Sequence, residues 1–171
     1  MKPGFYPFNL PVLKKSITDK QKHFVLVVGI LLILPCISLS QWVQTGGPYG
    51  GKVSCIAASG TDIFAGTTGG GIYKSADNGA NWIRKNTGLA NLNITAMVVS
   101  GTQAYAGTAG DGVYLSTNGG AGWTKVSTGL TDKFVNTLAV SGTAVYAGTA
   151  GGGIFVSTNS GGGWNVKNTG L

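Results

Sequence analysis

From residue 49 onward, apolar and polar positions alternate in short runs, and the runs recur every 41 residues. Residues 53–58, 94–99 and 135–140 are apolar-rich and predict a first strand in each copy. A Ser-Gly-Thr triplet follows all three, starting at Ser59, Ser100 and Ser141, and predicts a tight hairpin turn. Residues 63–67, 104–108 and 145–149 predict a second strand rich in small residues, which lets a neighbouring backbone approach closely. A glycine cluster then reverses the chain into a third strand at 71–75, 112–116 and 153–157. A polar turn leads to a fourth strand, beginning at Trp82, Trp123 and Trp164. No segment past residue 41 carries helical periodicity.

A fixed period of this length means that one supersecondary unit recurs and buries its faces against copies of itself. Four short antiparallel strands in about 40 residues is the size of one β-propeller blade. The predicted fold is therefore all-β, a partial β-propeller of three four-stranded blades of 41 residues, preceded by an N-terminal signal helix. The first strands are apolar on both faces at several positions, which blades stacked face to face would cover. The structural rival is a β-solenoid, whose coils are shorter and whose turns are less hairpin-like. The expected domains are a signal segment at 1–40, a lead-in at 41–48 and repeats at 49–171, divided at about 49–89, 90–130 and 131–171. Closed propellers have roughly four to eight blades. Three copies leave two blade faces uncovered, so further blades in a longer protein, or self-association, are expected.

Composition changes this picture at the N-terminus. The formal charge is +7, but five lysines and one aspartate crowd the first 22 residues, and the remainder carries +3 with its cations scattered. Nucleic-acid binding needs clustered Lys and Arg, so no nucleic-acid partner is expected. The basic lead is followed by an apolar run at 24–34, Pro35, and small residues at Ser38 and Ser40. That order is a secretory signal with cleavage after Ser40, which places the domain outside the cell, in the periplasm or at the surface. The run falls short of the ~20 apolar residues of a membrane-spanning helix. An uncleaved signal anchor is the alternative, and the sole route by which this chain would hold a membrane. Pro35 makes Cys36 a poor lipid-attachment site. Past the cleavage point only Cys55 remains, so no internal disulfide forms, and its apolar strand makes it a small core residue.

The turn between the third and fourth strands reads Ser75-Ala76-Asp77-Asn78-Gly79-Ala80-Asn81-Trp82. Its counterparts keep Ser116, Asn118, Gly120 and Trp123, then Ser157, Asn159, Gly161 and Trp164. A short Asp or Asn side chain there can accept backbone N–H bonds and hold a tight turn, with glycine in the positive-φ position. The set resembles the Asp-box, or bacterial neuraminidase repeat, over about residues 49–171, with Asn replacing the acid twice. Asp-box propellers include sialidases, some endo-glucanases, sortilin-type receptors and photosystem II assembly factors. The resemblance implies a structural motif on the propeller periphery, away from any active site. The tolerated Asn points the same way: a turn-capping role survives that exchange, whereas a catalytic or metal-binding Asp77 would not.

Candidate chemistry is sparse. The chain has one arginine, Arg84, and no glutamate, so the three arginines and Tyr/Glu pair of the sialidases have no counterpart. Glycoside hydrolysis in general needs two carboxylates; past Ser40, Asp62, Asp111 and Asp132 are the candidates besides Asp77. Asp111 stands out because Gly70 and Gly152 occupy its place in the other copies, although Asp is common in solvated turns. No histidine follows His23, which excludes Ser-His-Asp and Cys-His nucleophiles. One cysteine and scattered aspartates give no metal site, and no cofactor is expected. The three repeat tryptophans read as blade core rather than a sugar-stacking platform, while Trp42 and Tyr49 are placed to seal the first repeat. Asn93-Ile94-Thr95 is a glycosylation sequon, relevant in a eukaryotic secretory host. The expected function is an exported, non-catalytic scaffold that binds a protein or glycan. The alternatives are a piece of a glycoside hydrolase with its catalytic residues in other blades, and an assembly factor of the photosystem II type.

Overall fold

The small-residue strands and glycine turns build three four-stranded antiparallel sheets, one per repeat. The computed structural model describes residues 47–49 and 51–171. The segment 1–40 expected to be a signal, including Cys36, and lead-in residues 41–46, including Trp42, lie outside the described residues. The first sheet contains β1 (Val53–Ser59), β2 (Asp62–Thr67), β3 (Gly71–Ser75) and β4 (Ile83–Arg84). The second contains β5 (Ile94–Ser100), β6 (Gln103–Thr108), β7 (Gly112–Ser116) and β8 (Thr124–Lys125). The third contains β9 (Val135–Ser141), β10 (Ala144–Thr149), β11 (Ile154–Ser157) and β12 (Asn165–Val166). Strand order within each sheet follows the chain, as in a meander. No helix occurs among the described residues. The fold is a partial β-propeller.

Sheet-to-sheet contact is concentrated on β1, β5 and β9, which stand side by side, with β2 reaching β5 and β6 reaching β9. Small residues make this approach possible. A Cβ added to Gly66 would lie 2.6 Å from the Ile94 side chain of the next blade, and one added to Gly107 would lie 2.6 Å from Val135. Two apolar cores result. Phe64, Ile72, Ile94, Met97, Tyr114 and Trp123 fill the space between the first and second blades. Tyr105, Val113, Leu130, Val135, Phe155 and Trp164 fill the next. Hydroxyls near the inner strands cross the same gaps: Ser54 Oγ donates to the Ile94 carbonyl and Thr95 Oγ1 to that of Val135.

Three details depart from the sequence reading. The fourth strands start one residue after each tryptophan and are only two residues long. Cys55 is half-buried rather than fully enclosed, and burial raises its thiol pKa. Tyr49 is almost fully exposed and does not seal the first repeat.

Candidate functional site

Meander topology divides each blade into two ends. The β1–β2 hairpin and the polar turn after β3 share one end, and the same holds in the other copies. The β2–β3 loops and the long connections from β4 to β5 and from β8 to β9 share the other.

At the first end stand the Ser-x-Asp/Asn turns. Ser75 Oγ accepts the Gly79 N–H at 2.8 Å and donates to Asp77 Oδ1 at 2.7 Å. Asp77 in turn accepts the Asn81 backbone N–H at 2.8 Å and the Asn81 side-chain amide at 2.7 Å. Those bonds, the Asn81 backbone first and then its side chain and Ser75, lower the exposed Asp77 carboxyl to about 2. The Asn copies repeat the pattern. Ser116 Oγ binds Gly120 N and Asn118 Oδ1, each at 2.9 Å, and Asn118 Oδ1 accepts Gly122 N at 2.9 Å. Ser157, Asn159, Gly161 and Gly163 do the same at 2.8–2.9 Å. Gly79, Gly120 and Gly161 have φ of 89°, 83° and 89°, where an L side chain is strained.

Two of the tryptophans that end these turns reach the preceding blade. Trp123 Nε1 donates to the Lys85 carbonyl of the preceding blade at 2.9 Å, and Trp164 Nε1 donates to that of Val126 at 2.7 Å. Both rings are buried. The Trp82 indole N–H is buried and has no acceptor among the described residues.

The opposite, loop end holds the chemistry that varies between repeats. Ladder register sets Tyr73 opposite Arg84, Tyr114 opposite Lys125, and Phe155 opposite Val166. The residue at the base of the β2–β3 loop completes each trio. In the first blade Arg84 Nε donates to the Gly70 carbonyl at 3.2 Å, and its guanidinium lies 5.9 Å from the Tyr73 ring centre. In the second, Asp111 replaces that glycine and accepts bonds from both Lys125 Nζ and the Tyr114 hydroxyl. In the third, Gly152, Phe155 and Val166 leave the position without charge.

The electrostatics follow from this geometry. Partial burial raises the Asp111 carboxyl, but the hydrogen bonds from Lys125 and Tyr114 outweigh it and hold the group below the usual range. The bond to Asp111 raises Lys125. Burial, then the Asp111 bond, raises the Tyr114 phenol. Tyr114 also accepts the Ala90 N–H at 3.3 Å. Beside the trio, Lys133 Nζ donates to the Ser127 carbonyl at 2.7 Å. Burial lowers its ammonium, and the Lys125 charge adds to that. Lys125, Ser127, Thr128 and Lys133 line a shallow cleft of about 350 Å³. Asp132 is committed elsewhere: it accepts backbone N–H bonds from Phe134, Gly151 and Gly152 at 3.0, 2.7 and 2.9 Å, which lower its carboxyl. No group of three metal-ligating side chains occurs among the described residues.

The structure thus places Asp111 and the twelve turn residues at opposite ends of the blades. Lys125, Tyr114 and Lys133 were not singled out by sequence, and Arg84 was noted only as the one arginine. For Arg84 and Lys125 the signal was the repeat itself: a cation recurs at 84 and 125 and is lost at Val166.

Comparison with known proteins agrees with this architecture. No curated protein sequence matches the chain. Among solved structures, an ancestral GH74 enzyme aligns with TM-score 0.60 and 24% identity, over 68% of this chain and 18% of that one. YCF48 bound to D1 peptide aligns with TM-score 0.60 and 14% identity, over 72% of this chain and 42% of that one. The extracellular domain of a protein described as a one-component system, from B. thetaiotaomicron, aligns with TM-score 0.60 and 20% identity, over 73% of this chain and 18% of that one. The chain therefore spans less than half the length of each, and identities this low establish the shared fold alone. The family model of the DUF6242 beta propeller domain matches residues 51–170. The match takes in all three blades, and the chain belongs to the DUF6242 beta propeller domain family.

Proposed function

We propose that this chain is an exported, non-catalytic propeller scaffold of the Asp-box type, which binds a protein or glycan partner at the loop end of its blades. The observation that carries the reading is the division of labour between the two ends. The Ser-x-Asp/Asn turns repeat with near-identical bonding in all three blades, as a structural device does. The loop end differs in every blade, as a recognition surface does. Its carboxylates support binding better than hydrolysis. Asp111 is neutralised by Lys125 and Tyr114, and Asp132 is tied to three backbone amides, so neither is poised as a general acid. With Lys125 paired to Asp111, Arg84 and Lys133 give this end cationic groups suited to carboxylate-bearing ligands. The YCF48 structure contains a bound peptide, which supports a peptide as one form such a ligand takes.

The second reading, a glycoside hydrolase segment with its catalytic groups in other blades, rests on the GH74 neighbour. One experiment separates the two. The purified full chain is screened against glycan and peptide arrays, and each retained ligand is incubated with the protein and analysed for cleavage. Retention without product, weakened by Lys125→Ala and Lys133→Ala in folded protein, is the expected result. Release of shortened saccharide at a rate proportional to protein concentration overturns the scaffold reading.

A further inference from the structure

Among the described residues, each contact that joins one blade to the next is made twice, and one half of it stands open on the first blade and the other half on the third. Gly66 accommodates Ile94, and Gly107 accommodates Val135; at Gly148 no next-blade residue approaches, and an added Cβ would meet only its own blade's Thr137. Ser54 and Thr95 each donate to the next blade, while the corresponding Asn136 is exposed. Phe64 and Tyr105 are 2% and 1% exposed beneath the following blade, whereas Tyr146, their counterpart, is 38% exposed. At the other face, Met97 is 8% exposed against the first blade, whereas its counterpart Ile56 is 65% exposed. Val53 holds the place of Ile94 and Val135, and it too is exposed. The Trp82 indole waits for the kind of carbonyl that Lys85 and Val126 supply to Trp123 and Trp164. By the same 41-residue step, the exposed Lys167 occupies that acceptor position on the last blade.

The two open faces are thus the two halves of the interface already present between the blades. We propose that the face carrying Thr137, Ala139, Tyr146 and Gly148 receives the Val53–Ile56–Trp82 face of a second copy of this chain, head to tail. In that arrangement Val53 of the second copy sits on Gly148, Ile56 packs against Tyr146, and the Trp82 indole donates to the Lys167 carbonyl. The contact is heterologous, so it closes into a ring or runs on as a filament according to the rotation per blade. Two copies supply six blades, within the roughly four to eight of closed propellers.

The test uses protein purified from cells expressing the full chain, with mass measured by light scattering after size exclusion across a wide concentration range. Two variants are made, Ile56→Lys and Tyr146→Glu, each at an exposed position on one face, and circular dichroism checks that both keep the parent's β spectrum. The expected result is a two-copy particle or a longer head-to-tail assembly for the parent, single chains for each variant alone, and association restored on equimolar mixing. Only mixing places the introduced ammonium against the introduced carboxylate at one junction and leaves the other junction native. A parent that stays a single chain throughout overturns the proposal, with the faces then covered by other parts of the same chain or by none. A pair that persists in both variants overturns it as well, since the copies then meet elsewhere.

Discussion

The indole N–H of Trp123 donates to the carbonyl of Lys85, thirty-eight residues earlier and in the preceding blade, at 2.9 Å. Trp164 and Val126 repeat the relationship one period later. The repeat tryptophans therefore fasten blades together, and this bears on how the chain responds to mutation. Removing the indole donor leaves a carbonyl unpaired, which costs about 1 kcal/mol beyond the lost packing. Trp123→Phe and Trp164→Phe are each expected to destabilise by about 1 kcal/mol more than Trp82→Phe, which loses no partner among the described residues. Urea denaturation at equal m-value, at a concentration where the protein is a single chain, measures the difference. Equal losses at all three positions would count against the blade-to-blade role.

Close approach between blades gives a second expectation. Gly107→Ala drives a Cβ to 2.6 Å from the buried Val135, so the blades must separate to admit it. Overpacking of this kind costs about 1–3 kcal/mol. Gly148→Ala meets only the exposed Thr137 side chain at 2.7 Å, which can turn away. Measured where the protein is a single chain, the first variant is expected to melt well below the parent and the second close to it. A reversed order is the contrary outcome.

Acid should act on the first Ser-x-Asp turn differently from its Asn copies. The Asp77 carboxyl is lowered from 3.8 to about 2 by Asn81 and Ser75. A lowered folded-state pKa stabilises above the unfolded value and loses that contribution as pH falls through the folded one. The stability advantage of the parent over Asp77→Asn is therefore expected to hold at neutral pH and to shrink between about pH 4 and pH 2. Denaturant midpoints for the pair across that range decide it. A gap that widens toward pH 2 contradicts the bonding described.

The Asp111 trio predicts a titration change rather than a large stability change. Exposed ion pairs contribute about 0–1 kcal/mol, so Asp111→Gly, which restores the residue of the other repeats, is expected to change stability by no more than that. Losing the carboxylate removes the bond that helps raise Tyr114 and the bond that raises Lys125. Both groups are then expected to titrate at lower pH than in the parent, followed by NMR of the Tyr114 ring and the Lys125 side chain. Unchanged titration of both means that the trio does not form in solution.

Much of this was legible in the residues, and the division is physical. Turn chemistry is local. Gly60, Gly101 and Gly142 in the hairpins, and Ser75 with Asp77 and Gly79 in the polar turn, bind within a few residues of themselves, so their spacing revealed the blade. What depends on register or on stacking was hidden. Lys125 reaches Asp111, fourteen residues away, because the β7–β8 ladder sets it opposite Tyr114, and a two-residue strand carries no alternation to announce that register. The tryptophans read as blade core, but the carbonyls that the Trp123 and Trp164 indoles reach belong to the preceding blade and could not be seen in the turn itself. Asp111 was noticed only as an exception to the repeat, and its partners came into view with the sheet.

Hydrogen exchange at the indoles tests most directly whether successive blades pack on one another through these tryptophans. In two-dimensional NMR, the Trp123 and Trp164 indole protons are predicted to exchange at rates set by global unfolding. If both exchange as freely as an exposed indole while the blade amides remain protected, the blades stand apart and the account fails.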